Sequence, residues 1–314
     1  MSRLPRLDQR AVLLLQAEEA DPLPGRALGR RLLRSLSVIE LIEAVRDQDR
    51  PLVLIQGGAL SEETIELAQA LADLPARPVL AALESVGRMG PALTTARRLG
   101  LSAVFPAEAL DYPEELETWA QWIERGGPEP GLAEHLAPEA PIRRLEVRDR
   151  ETKVTVLDSV VADFQTFRPD SRGGFDLRLV LEEALNNAVY HAFESADGVE
   201  KYSIRNFETL EPGEEVTLDY GRDARTFAVD VADNQGRLRR DRALEKIERH
   251  IDAHGLLDER GRGLFLCHSL ADRLIVNLQP GRLTQLVVLF AADKTLWQDR
   301  CPARPILVFE REGA

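Results

Sequence analysis

Residues 176–191 read DLRLVLEEALNNAVYH, and the fold of the C-terminal half turns on this stretch. Leu177, Leu181, Ala184, Leu185 and Ala188 recur at helical spacing, and Asp176 is of the type that caps a helix N-terminus. The pattern predicts one amphipathic helix over 176–192. Glu183 and Asn187 stand i,i+4 on its rim, one turn apart on the same side. A carboxylate and an amide held this way beside an apolar floor suit a base and a Mg²⁺ ligand. The amide oxygen fits a hard cation, and the carboxylate can take a proton from an attacking hydroxyl or water. Glu182 and Asn186 share the spacing, and periodicity does not choose between the pairs. Such a pair alone is most often a solvated helix face, so its meaning rests on its surroundings.

Working outward, a strand is expected near 153–158, followed by a helix to about 166. Further strands are expected at 214–220, 226–232, 273–278 and 283–290, helices at 240–254 and 263–271, and an edge strand in PILVF (305–309). Helices on one face of a mixed or antiparallel sheet make a two-layer α+β sandwich. VDVADNQGRL (229–238) ends a strand at Asp233, and ERGRGLFLCHSL (259–270) is a Gly-rich turn running into a helix. This order resembles the ATP-binding domain shared by histidine kinases, gyrase-type ATPases and Hsp90-type chaperones. EALNNAVYHA (183–192) and GRGLFL (261–266) most resemble the anti-sigma-factor serine kinases of bacteria, and the resemblance spans roughly residues 146–295.

The resemblance implies ATP and Mg²⁺ as cofactors and assigns a site. The family pattern E-A-x-x-N-A fits Glu183-Ala184 and Asn187-Ala188, which makes Glu183 the base and Asn187 the Mg²⁺ ligand rather than Asn186. Asp233 matches the family Asp that accepts a hydrogen bond from the adenine amino group. The family follows that Asp with D-x-G-x-G, whereas here the run is Asp233-Asn-Gln-Gly236-Arg237, with one glycine displaced. Gly261 and Gly263 match the second glycine box, where backbone N–H groups approach phosphates, and Arg262 and Arg260 add charge. Gly281 and Thr284 fall near the family's Gly-Thr before its last strand, which puts Thr284 beside adenine. Residues 237–258 would be the lid, a charged helix ending at Gly255. His250 and His254 in it have metal-ligand spacing without a third ligand, and a helix C-terminus accounts for them. His191 reads as a helix-end packing residue. The stretch KYSIRNFETLEPGEEV (201–216) reads as an inserted hairpin.

In the N-terminal half, AVLLLQ (11–16), PLVLIQ (51–56), PVLAAL (78–83) and SAVF (102–105) read as buried strands, with helices near 25–46, 61–73, 88–98 and 113–125. That alternation predicts an α/β doubly wound parallel sheet. It resembles a response-regulator receiver domain. Glu18 and Glu19 stand for its acidic pair, but Gln56 occupies the phospho-accepting Asp position, Ala82 falls near the hydroxyl position, and Phe105-Pro106 offers no Lys. An amide forms no aspartyl phosphate, so this is a pseudo-receiver. The expected layout is 1–126 receiver-like, 127–145 a Pro/Gly-rich linker, and 146–314 the ATP-binding domain with the histidine kinase-type ATPase fold.

Composition bounds the function. At 314 residues, 44% hydrophobic and 30% charged, the chain suits two globular cores. A net charge of −13, with basic residues scattered, argues against nucleic acid as a direct partner. Cys267 and Cys301 exclude a disulfide framework, the first apolar run is too short for a signal peptide, and no stretch approaches the ~20 apolar residues of a membrane span. These point to a cytoplasmic protein. The expected function is an anti-sigma-type serine/threonine kinase acting on a protein partner, a sigma factor or an antagonist-like protein, with a homodimer allowed. The alternative is a non-catalytic, nucleotide-gated interaction module. A histidine kinase fits less well, because His135 in GLAEHLAPEAP sits among prolines that argue against a long helix.

Overall fold

The computed structural model describes residues 12–15, 32–35, 45, 52–56, 66, 70–71, 79–84, 89–251, 262–292 and 304–311. The chain folds into two compact units, Met1–Arg125 with Cys301–Pro305, and Gly126–Arg300 with Ile306–Ala314.

The first unit carries strands β1 (Val12–Leu15), β2 (Leu32–Ser35), β3 (Leu52–Gln56), β4 (Val79–Glu84) and β5 (Ala103–Pro106), paired in the order β2-β1-β3-β4-β5. Every described pairing among them is parallel, as the alternation of buried strands and helices requires. The order is one of the common doubly wound arrangements. Helices α1 (Met89–Leu99) and α2 (Pro113–Glu124) pack on β4, and Trp119 of α2 stacks on Phe105 at 5.3 Å. One expectation fails here. The segment 25–46, read as a helix, contains β2, whose backbone is laddered to β1 from Val12↔Leu32 to Leu15↔Ser35. Two adjacent leucines fit either period, and the free side of β1 needed backbone partners. Glu18 and Glu19 lie outside the described residues.

The second unit begins with β6 (Ile142–Glu146), α3 (Arg150–Phe167) and α4 (Ser171–Tyr190). It continues with β7 (Val216–Arg222), β8 (Thr226–Asp233), α5 (Arg240–Ile251), α6 (Gly263–Leu270), β9 (Arg273–Gln279), β10 (Leu283–Ala291) and β11 (Ile306–Glu310). The strands run in the order β11-β9-β10-β8-β7-β6, with β11 parallel to β9 and the other pairs antiparallel. Helix α4 packs on β8 and α6, and α3 packs on α4. Phe164 of α3 anchors the core, edge-on to Phe227 at 5.1 Å and Phe290 at 5.4 Å.

Several boundaries differ from those expected. Residues 153–158 belong to α3, not to a strand. Asp149 caps this helix in a reciprocal capping box with Thr152, and Val156, Leu157, Val160, Val161 and Phe164 are buried at helical spacing, which outweighs the β-branched character of the run. The strand of this region is β6, which starts within the last residues of the segment 127–145 read as linker. It is exposed and charged, without the alternation that marks a half-buried strand. Residues upstream of β6 are fastened too. Arg311 donates to the carbonyls of Gly126, Gly127 and Pro128 at 3.1, 2.7 and 2.9 Å, and Ala137 N–H donates to Asp223 at 2.8 Å.

Helix α4 starts at Ser171, capped by Asp170, so Asp176 is a buried residue inside the helix and not its cap. The Gly173-Gly174 pair masked this start. Gly173 is required because the Arg168 guanidinium lies where its Cβ would be, with Nη2 2.5 Å from that position. Residues 191–215 form no hairpin ladder beyond the bridge Glu194↔Glu200. They fold instead around aromatic contacts, Tyr190–Phe207, Phe193–Tyr202 and Tyr202–Phe207, with the Tyr202 hydroxyl donating to Glu214 at 2.5 Å.

On the sheet face opposite Asp233, a polar row crosses four hydrogen-bonded strand pairs. Asn277 donates to Gln285 at 2.7 Å, Gln285 donates to Asp230 at 2.6 Å, Asp230 is the cross-strand partner of Asp219, and Arg144 clamps Asp219 at 2.8 and 2.6 Å. Burial, then the neighbouring Asp219, pushes Asp230 up to about 7.

Candidate nucleotide site

A cleft of about 980 Å³ opens over the end of β8, bounded by α4, α5, the start of α6 and the 191–215 segment. Its floor is apolar, with Val231, Leu286 and Leu264. The twofold alternation along β8 places Val231 and Asp233 on the cleft side and Asp230 on the other.

Asp233 is the last residue of β8 and is buried. Its Oδ1 accepts from Gln235 N–H at 2.9 Å and Gly236 N–H at 3.1 Å. Thr284, its cross-strand partner on β10, also donates to it, through side chain and backbone. Burial still dominates these bonds and raises the carboxyl to about 6. Gly236 has φ +60, and a Cβ there would run into the Gln279 carbonyl and come 2.7 Å from the backbone nitrogens of Arg282 and Leu283. The displaced glycine is therefore the one that this turn requires.

Helix α4 supplies the second cluster. Asn186 accepts from Lys153 Nζ at 2.6 Å, and Glu182 pairs with Arg178 at 3.3 Å. The alternative pair is thus engaged with neighbouring helical residues. Glu183 and Asn187 face the first residue of α6 instead. A Cβ on Gly263 would lie 2.7 Å from Glu183 Oε2 and 3.2 Å from Asn187 Nδ2. The Asn187 amide nitrogen is buried and has no hydrogen-bond partner among the described residues, so its donor is left to an incoming group. Arg262 stands exposed at the rim, and Gly261 and Arg260 lie outside the described residues.

Residues 146–288 match the model of the histidine kinase-like ATPase domain. The match supports that ATPase superfamily for this segment, and with it nucleotide binding. A search of curated proteins finds no match to the chain. The residues of the ATPase-like domain fit Mg-ATP. An amide with an unpartnered N–H donor, suited to a phosphate oxygen, stands beside a carboxylate, a glycine leaves the space above both, and the buried Asp233 carboxylate lines the same cleft. No group of three or more metal-ligating His, Cys, Asp or Glu side chains occurs among the described residues, and the His250/His254 pair lies partly outside them. No helix among the described residues is long and apolar enough to cross a membrane.

Two features of the ATPase-like domain escape a motif reading. Arg237, at the position of the missing second glycine, pairs with Glu194 and donates to the His191 carbonyl at 3.2 Å, joining the segment before α5 to the 191–215 wall. Helix α5 is anchored at its N-terminus by Glu310 of β11, which accepts from Arg240 N–H at 2.7 Å and pairs with Arg239 at 2.8 Å. His191 itself pairs with Glu200 at 2.7 Å.

Proposed function

We propose that the ATPase-like domain binds Mg-ATP and acts as an anti-sigma-type protein serine/threonine kinase on a partner protein, a sigma factor or an antagonist-like protein. The convergence of Glu183, Asn187 and Gly263 in the cleft that also holds Asp233 and Thr284 carries this reading. Asp233 would accept from the adenine amino group and disfavour guanine, which presents an acceptor there. The Asn187 amide oxygen would hold Mg²⁺, whose charge offsets that of the transferring phosphoryl group when bound. Backbone N–H groups at the start of α6, with Arg262, would face the phosphates. Glu183 would receive the proton of the partner's Ser or Thr hydroxyl.

Residues 1–126 form the receiver-like input unit in this reading. Gln56 at the end of β3 denies it an aspartyl phosphate, so its signal arrives by protein contact, in a cytoplasmic setting and without direct nucleic-acid binding. The second reading, a non-catalytic nucleotide-gated module, is favoured by Arg237 in place of a glycine, since its contact with Glu194 ties the lid to a fixed wall. The two are separated by incubating the protein with γ-labelled Mg-ATP and candidate antagonist proteins. A kinase transfers label to a Ser or Thr of the partner, and Glu183→Gln keeps ATP binding while losing the transfer. ATP binding without transfer to any antagonist would leave the gated module.

A further inference from the structure

The chain enters the second unit twice, at Gly126 and at Ile306, the first residue of β11, and the segment after the first entry is fastened to the far end of that strand. Side chains alternate across a strand, so Phe309 and Arg311 leave one face and Glu310 the other. On the first face the segment Gly126–Pro128 is closely seated. Arg311 donates to its three carbonyls, and the Arg311 backbone N–H continues the ladder to the Leu278 carbonyl at 2.9 Å. Gly127 has φ +124, and a Cβ there would lie 2.9 Å from Phe309 Cβ and 3.3 Å from Asn277 Oδ1, so this approach requires glycine.

On the second face the Glu310 carboxylate meets α5. Arg240, whose N–H it accepts, is the first residue of that helix, so Glu310 satisfies one of the N–H groups that a helix leaves open and sits at the positive end of its dipole. Arg239, which it pairs with, also lines the cleft, as do Arg242 and Glu245 further along α5. Neither Glu310 nor Arg311 borders the cleft among the described residues. One short strand therefore ties the start of a cleft wall to the segment by which the chain enters the unit.

Resting on the nucleotide reading above, we propose that β11 couples the Gly126–Pro128 segment to the cleft. Glu310 is the positioning residue that sets α5 against the nucleotide, and Arg311 acts on the cleft through it. Displacing Gly126–Pro128 shifts the end of β11, loosens the carboxylate from the start of α5 and lowers the population of the binding-competent wall, so nucleotide leaves faster.

The test uses the full chain as wild type, Glu310→Gln, Arg311→Met, Arg311→Lys and the double variant Glu310→Gln/Arg311→Met, with thermal midpoints checking the fold. Stopped-flow displacement measures the dissociation rate of a fluorescent ATP analogue. Hydrogen exchange is followed at Ala243, whose N–H closes the first turn of α5 on the Arg239 carbonyl at 2.9 Å. Dissociation is expected to be about three- to tenfold faster in Glu310→Gln, which keeps an acceptor but loses the charge at the helix N-terminus. Arg311→Met speeds dissociation by a smaller factor and speeds exchange at Ala243, although Arg311 does not touch α5. Arg311→Lys shares the direction, since an ammonium cannot span the three carbonyls, and it decides the matter if Arg311→Met fails to fold. The double variant is no faster than Glu310→Gln, because both act on one step. Unchanged dissociation in Glu310→Gln, unchanged exchange in the Arg311 variants, or effects that multiply in the double variant would overturn the coupling alone. A wild type that takes up no nucleotide would overturn the nucleotide reading and the coupling together.

Discussion

Acidification should weaken nucleotide binding through Asp233. The carboxyl titrates at about 6 in the folded protein, because burial disfavours its charged form more than the N–H groups of Gln235 and Gly236 and the Thr284 donors favour it. Only the ionised group accepts fully from an adenine amino group, so apparent affinity follows the ionised fraction. That fraction is nearly complete at pH 8, about half at pH 6 and about one-eleventh at pH 5, a loss of roughly tenfold between pH 8 and 5. Adenosine is the ligand to use, since it carries no titrating phosphate. Asp233→Asn retains an acceptor oxygen that does not titrate, so its binding is weaker at pH 8 but flat with pH. Its amide can also rotate to donate to guanine, which narrows the preference for adenosine over guanosine. A wild-type profile flat from pH 8 to 5, or the same slope in Asp233→Asn, would refute the assignment of this carboxylate to adenine.

Asp230, on the opposite sheet face, gives a stability prediction of definite sign. Its folded pKa of about 7 lies above its ordinary value of 3.8, so the folded state holds the proton more tightly than the unfolded state. Stability from this group falls as pH rises through that window, and Asp230→Asn should remove the dependence and stabilise the protein at pH 8 by up to about 4 kcal/mol, read by denaturant titration at pH 5 and 8. Gly263→Ala should leave the thermal midpoint nearly unchanged, because the flexible Glu183 side chain can move aside, but it should abolish phosphoryl transfer by displacing that carboxylate. Gly236→Ala should instead destabilise the fold by about 1–3 kcal/mol or more, since the left-handed turn and the adjacent backbone leave no room, and thermal denaturation reads it directly.

Much of the second unit was legible because its elements have single-minded patterns. The strands β7 to β10 lie within three residues of the expected ranges, and α4 places Glu183 and Asn187 where its periodicity put them. Periodicity alone left Asn186 and Asn187 open and the family pattern pointed to Asn187; the fold adds that Lys153 of another helix reaches Asn186. The start of α4 was illegible because Gly173 answers a tertiary demand, the Arg168 guanidinium, and not a local turn. Helix α3 was misread because β-branched residues dominate its first turns, and β6 because a charged strand paired on its backbone has no apolar alternation to show. The polar row was written as Asp219, Asp230, Asn277 and Gln285, each a polar residue inside an apolar strand.

In the proposed function one cleft reads both ends of Mg-ATP. Its most direct test is calorimetric titration of Mg-ATP into the wild type, Asn187→Ala and Asp233→Ala, each shown folded by its thermal midpoint. Stoichiometric binding by the wild type is expected, lost or severely weakened in both variants, with Asn187→Ala retaining adenosine and Asp233→Ala losing it. A folded wild type that takes up no Mg-ATP, or binding that survives both substitutions, would contradict it.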